Sequence, residues 1–111
     1  MSDPFLRLFK ASIKKLLTYY PISGLFVWKT NKGTRRRGEI AGTVRVDGYT
    51  QIQVNHQLYY AHRLAFLFML GRWPIGEVDH LNNTPADNSW KNLREVSHRE
   101  NIKRAYSQEG T

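Results

Sequence analysis

Leu6, Phe9, Ile13, Leu16, Leu17 and Tyr20 recur at steps of three and four, the spacing of one helical face. Arg7, Lys10, Lys14 and Lys15 fall mostly off that stripe, so the pattern predicts an amphipathic helix with its apolar face toward a core. Asp3 stands where a cap is needed, Pro4 suits the first helical position, and Pro21 ends the pattern. Leu25, Phe26, Val27 and Trp28 follow Ser23 and Gly24 and read as a strand. Residues 40–46, 49–54 and 58–61 read as further short strands, with Asp47-Gly48 and Asn55-His56 as turns between them. Tyr49, Ile52 and Val54 do not alternate strictly, which leaves the register open.

Residues 61–70 predict a second helix, with Leu64, Phe66, Leu67 and Leu70 on broad apolar faces, Gly71 as its stop and Pro74 beyond. The last third reads strand (77–80), polar turn-rich loop (81–91), strand (92–96), helix. Ser97 to Glu100 has the capping-box pattern that opens this last helix, which runs to about Tyr106 before a frayed tail at 107–111. The expected class is α+β, a small antiparallel sheet with helices.

A length of 111 residues suits one domain, which buries about two-thirds of its unfolded surface. Seventeen Lys and Arg against nine Asp and Glu give a net charge of +8, and the pI is near 10.1. Such an excess repels itself and is most useful against a polyanion, with nucleic acid first and an anionic membrane second. The longest apolar stretch, residues 64–70, is far too short to cross a bilayer, so no membrane partner is expected. Absence of cysteine excludes disulfides and thiolate-bound zinc and fits a reducing compartment. The start of the chain lacks the layout of a secretion signal, so a cytoplasmic location is expected.

Polar residues stand at the junctions of the last third. Asp79 and His80 end its first strand, Asn92 begins its second, and Asn101 lies one turn into the final helix. If that helix packs across the hairpin, Asp79 and Asn101 converge as two oxygen donors. Hard cations such as Mg²⁺ take such donors and keep several waters. His80 alternates with Asp79 and can approach the same phosphate as a base rather than a ligand.

This arrangement resembles the HNH endonuclease motif of phage-type and homing-type nucleases. The residues that carry the resemblance are Asp79-His80, Asn92 in Asn92-Leu93-Arg94, and Asn101 after Glu100. The steps are twelve residues from His80 to Asn92 and nine from Asn92 to Asn101. Asn82, Asp87, Asn88 and Trp90 resemble the family's loop, and Ala61 to Leu64 with Trp73-Pro74 resemble the segment before it. The resemblance implies a C-terminal ββα-metal (His-Me finger) motif. It implies His80 as general base, Asn92 holding the loop and the orientation of the histidine, and Asp79 and Asn101 holding one divalent metal. Asn101 stands where some relatives have His, which favours Mg²⁺, with Mn²⁺ able to substitute, over zinc. A DNA substrate, 5′-phosphate and 3′-hydroxyl products, and a phage or other mobile-element origin, hence a host cytoplasm, are implied in the same way.

The expected division is an N-terminal helix (1–22), a DNA-contacting sheet and helix (23–76), the nuclease motif (77–106) and the tail (107–111). Lys32, Arg35, Arg36 and Arg37 lie in a flexible basic loop and are candidates for phosphate contact, as are Arg63, Arg94, Lys103 and Arg104. His62 reads as a structural hydrogen-bonder, and Asn82, Asn83 and Asn88 as loop builders. Two rivals are a DNA-binding accessory protein with an idle nuclease fold and a ribonuclease. Oligomeric state is left open.

Overall fold

The computed structural model describes residues 3–97. The expected final helix, with Asn101, Lys103 and Arg104, therefore lies outside the described residues.

Helix α1 runs Pro4–Leu16, and the Asp3 carboxylate accepts the Phe5 amide at 2.9 Å, capping it as expected. The helix does not continue to Tyr20. Leu17–Tyr20 is strand β1, paired antiparallel with β2 (Leu25–Trp28), Leu17 opposite Trp28 and Tyr20 opposite Leu25. Leu17 and Tyr19 face the core while Thr18 and Tyr20 are more open, a two-residue alternation within the helical spacing. Thr18, Tyr19 and Tyr20 are strand formers, and pairing with β2 decides the outcome.

Strands β3 (Thr43–Val44), β4 (Thr50–Val54) and β5 (Gln57–Tyr60) form a three-stranded antiparallel sheet in that order. The expected strand over 40–46 shrinks to two residues, and Ile40 instead bridges to Val27 of β2. Asn55 and His56 both turn the chain at positive φ, 50° and 68°, the geometry that matches the twist of a tight hairpin. Helix α2 spans Ala61–Leu70 and stops at Gly71, whose φ of 75° lets its amide reach the Leu67 carbonyl at 3.0 Å.

The core lies around α2. Leu64, Ala65 and Leu67 are fully buried against Ile13, Leu17, Phe26 and Ile52. Aromatic contacts extend it: Tyr19 on Phe26 at 4.7 Å, Phe26 on Phe68 at 5.4 Å and Phe66 on Trp90 at 4.8 Å. After α2 come β6 (Glu77–His80), a 3₁₀ turn (Trp90–Asn92) and β7 (Leu93–Val96). The ribbon β6–β7 is antiparallel, with Asp79 opposite Arg94 and His80 opposite Leu93. Asn92 thus sits in the turn leading into β7 rather than in the strand. Arg72, just after α2, grips Glu95 of β7 with two hydrogen bonds, 2.8 and 3.1 Å, and the Ile75 amide binds the same carboxylate at 2.6 Å.

Among the described residues, no helix is long and apolar enough to cross a membrane.

Candidate active site

Alternation along β6 sends Asp79 and His80 to opposite faces of the ribbon. His80 shares a face with Leu93, which is in the core, and is itself only 5% exposed. Asp79 shares the other face with Arg94.

The His80 ring is enclosed. Its Nε2 lies 3.0 Å from Asn88 Oδ1. The His62 ring, from the first turn of α2, meets it edge to face at 5.1 Å, and Tyr49 does so at 5.8 Å. His62 is buried and stacks on Tyr60 at 5.3 Å. Burial, then the neighbouring His80 and Arg63, lowers the His62 pKa from its ordinary 6.5 to about 4, so it is neutral at pH 7. Beside this aromatic wall opens a cleft of about 430 Å³ lined by Tyr49, Tyr60, His62, Arg63 and Glu77, among others.

The loop from β6 to β7 is held by its own amides. Asn92 Nδ2 donates to Asn82 Oδ1 at 3.0 Å and to the Asp87 carbonyl at 2.8 Å, and Asn92 Oδ1 accepts the Asn82 amide at 2.9 Å. Asp87 accepts the Ser89 hydroxyl at 2.8 Å and Asn82 Nδ2 at 2.8 Å. Hydrogen bonds from Ser89 lead the effects that hold its carboxyl below the usual range. Asn92 therefore builds the loop, while the side chain touching the imidazole is Asn88. Sequence reading placed Asn88 only as a loop builder and His62 only as structural. Nothing periodic marks Asn88, and His62 lies eighteen residues before His80.

The basic loop is more ordered than expected. The Arg35 guanidinium stacks 3.7 Å over Trp28 and donates to Thr30 at 3.0 Å, and Lys32 and Arg35 bridge one another's backbones. Arg36 donates to the Gly33 carbonyl at 2.9 Å, and the Arg37 amide is held by Asn31 at 2.8 Å. This loop and the sheet β3–β5 border a cleft of about 750 Å³ that includes Lys32, Arg35, Arg45, Gln51 and Gln53. Arg63 reaches toward the Gly76 carbonyl and is half-buried, whereas Arg94 is exposed.

Among the described residues no three His, Asp or Glu side chains cluster as a metal cage. Asp79 contributes one hard oxygen donor, a type that fits a hydrated divalent cation. The other assigned donor, Asn101, lies outside the described residues.

A histidine on a two-stranded ribbon, an aspartate beside it and an asparagine-laced loop between the strands make up the described part of the site. Residues 59–103, under half of the chain, match the family model described as HNH endonuclease. The structure is similar to one described as DNA binding and cleavage by the HNH homing endonuclease I-HmuI, with a TM-score of 0.64 and 19% identity. The match covers 86% of this chain and 55% of that one, so the chain spans about half the length of that relative. No curated protein matches the chain.

Proposed function

We propose that this protein is a DNA endonuclease that hydrolyses phosphodiester bonds with His80 as general base. The observation that carries the proposal is that one family-matched segment contains Asp79, His80, Asn92 and Asn101, with His80 held in a polar pocket at the end of its strand. Asp79 and Asn101 would hold one divalent ion, Mg²⁺ or Mn²⁺, which when bound supplies charge stabilisation at the scissile phosphate.

His80 takes a proton from the attacking water as the new bond to phosphorus forms. The bond from phosphorus to the 3′ oxygen then breaks, leaving a 5′-phosphate and a 3′-hydroxyl. A base of this kind contributes about 10²–10⁴-fold. Asn92 keeps the loop closed around the ring. Lys32, Arg36, Arg37, Arg63 and Arg94, with Lys103 and Arg104, would neutralise backbone phosphates. Arg35 supports the basic loop from its stack on Trp28.

Supercoiled plasmid, incubated with Mg²⁺ or with EDTA, tests the proposal. Wild type should nick or linearise it with Mg²⁺ alone, and His80→Ala should lose at least about 10²-fold in rate while binding DNA normally. Unchanged turnover in His80→Ala would remove His80 as the base. Activity on single-stranded RNA but not on duplex DNA would move the substrate assignment.

A further inference from the structure

Asn88 is 3% exposed and is held from both sides by residues that precede the family-matched segment. The Tyr19 hydroxyl of β1 donates to its carbonyl at 2.6 Å. Burial, with the Asp87 charge nearby, pushes the Tyr19 pKa up, so this hydroxyl stays a donor. The next amide but one, that of Trp90, donates to the Pro21 carbonyl at 2.8 Å. Gly24, at φ 79°, lies so close that a β-carbon there would collide with the Asn88 and Ser89 backbone. The β1–β2 hairpin thus seats residues 88–90, and the Asn88 side chain extends from that seat to His80 Nε2.

A carbonyl oxygen only accepts, so the hydrogen of a neutral His80 sits on Nε2 and the lone pair on Nδ1. We propose that Asn88 is the positioning residue of the base: its Oδ1 accepts Nε2–H, fixes the ring and reserves Nδ1 for the proton of the attacking water, with the β1–β2 hairpin holding Asn88 in place through Tyr19. The proposal rests on the nuclease reading above and deepens it. When Nδ1 takes the proton, the ring becomes an imidazolium that still donates Nε2–H to Asn88, so the same bond persists through proton transfer and strengthens as the ring gains charge.

The test combines nitrogen-15 spectra of labelled histidine with kinetics. In the metal-free protein at pH 8, the His80 signals, assigned against His80→Ala, should show hydrogen on Nε2. Asn88→Ala should lose that single tautomer and lower kcat about 10- to 100-fold, with KM for duplex DNA changed less than about twofold. Asn88→Asp, which keeps an acceptor and removes any donor, should retain the tautomer and recover most of kcat. Tyr19→Phe, which removes one oxygen and keeps the ring, should lower kcat severalfold at unchanged KM. Hydrogen on Nδ1 in the wild type would overturn the proposal. So would an Asn88→Ala protein with native spectra and native kcat, or an Asn88→Asp protein that behaves like the alanine variant. A wild type that cleaves nothing would overturn the nuclease reading, and the spectra would still decide whether Asn88 sets the ring.

Discussion

The imidazoles of His62 and His80 meet edge to face, 5.1 Å apart and 77° between planes, one from the first turn of α2 and one from the end of β6. His62 is held neutral there, its pKa depressed to about 4. Between about pH 6.5 and 4 the unfolded chain binds a proton at this position and the folded chain does not, so folding stability falls as pH drops through that window. Above pH 6.5 the contribution is complete, and below 4 the loss is complete. The loss attributable to His62 is on the order of 3 kcal/mol. Urea titrations of wild type and His62→Phe at pH 7.5 and 4.5 should show a markedly smaller pH effect in the variant. Equal pH effects would refute the assignment.

Gly24 and Gly38 have similar positive φ, 79° and 91°, but only Gly24 has backbone pressed against the place of a β-carbon. Gly24→Ala is expected to cost well over 2 kcal/mol and Gly38→Ala roughly 1 kcal/mol. Thermal melts of the two variants check the contrast, which would fail if their losses were alike.

Asn92→Ala removes one side chain that satisfies the Asn82 amide, the Asn82 carboxamide and the Asp87 carbonyl. A loss of about 2–4 kcal/mol is expected, with cleavage at low temperature reduced rather than abolished, because the residue shapes the loop and does not touch the imidazole. Denaturant midpoints and a cleavage assay at 10 °C provide the measurement. Complete inactivity in a folded variant would give Asn92 a direct chemical role.

In the basic loop the four cations separate by task. Lys32, Arg36 and Arg37 replaced together by Ala should flatten the slope of log affinity against log salt by up to about three units on any duplex. Arg35→Ala should instead cost about 1 kcal/mol of stability through loss of the stack on Trp28. Binding titrations at several salt concentrations, beside thermal melts, distinguish the two. A steep salt slope retained by the triple variant would exclude phosphate contact.

Local chemistry made much of this fold legible. Asp3 before Pro4, Asp47-Gly48, Asn55-His56 and Gly71 each carry a backbone preference in the residue itself, and each marks a boundary in the structure. Residues 17–20 misled because Leu17 and Tyr20 satisfy a helical period while Leu17 and Tyr19 satisfy a strand period. Only pairing with Leu25–Trp28 chooses between them. The place of Asp79 and His80 at the end of β6 was readable from the strand pattern, whereas Asn92 falls in the turn before β7. The shell around His80 was not, since Tyr49, His62 and Asn88 reach it from three elements and no spacing rule links them. Arg35 read as a phosphate-contact candidate for a similar reason: its partner, Trp28, is on the preceding strand.

The bond from Tyr19 to Asn88 joins residues 69 apart in sequence. Closing so long a span costs more chain entropy than closing a local turn or hairpin. A growing chain on the ribosome holds Tyr19 long before Asn88 exists, so on the proposed reading the base would be oriented only once the two hairpins have met. On the proposed nuclease reading, activity would be tied to completed folding: a heat-loosened molecule carries every residue of the motif and would still leave surrounding DNA uncut.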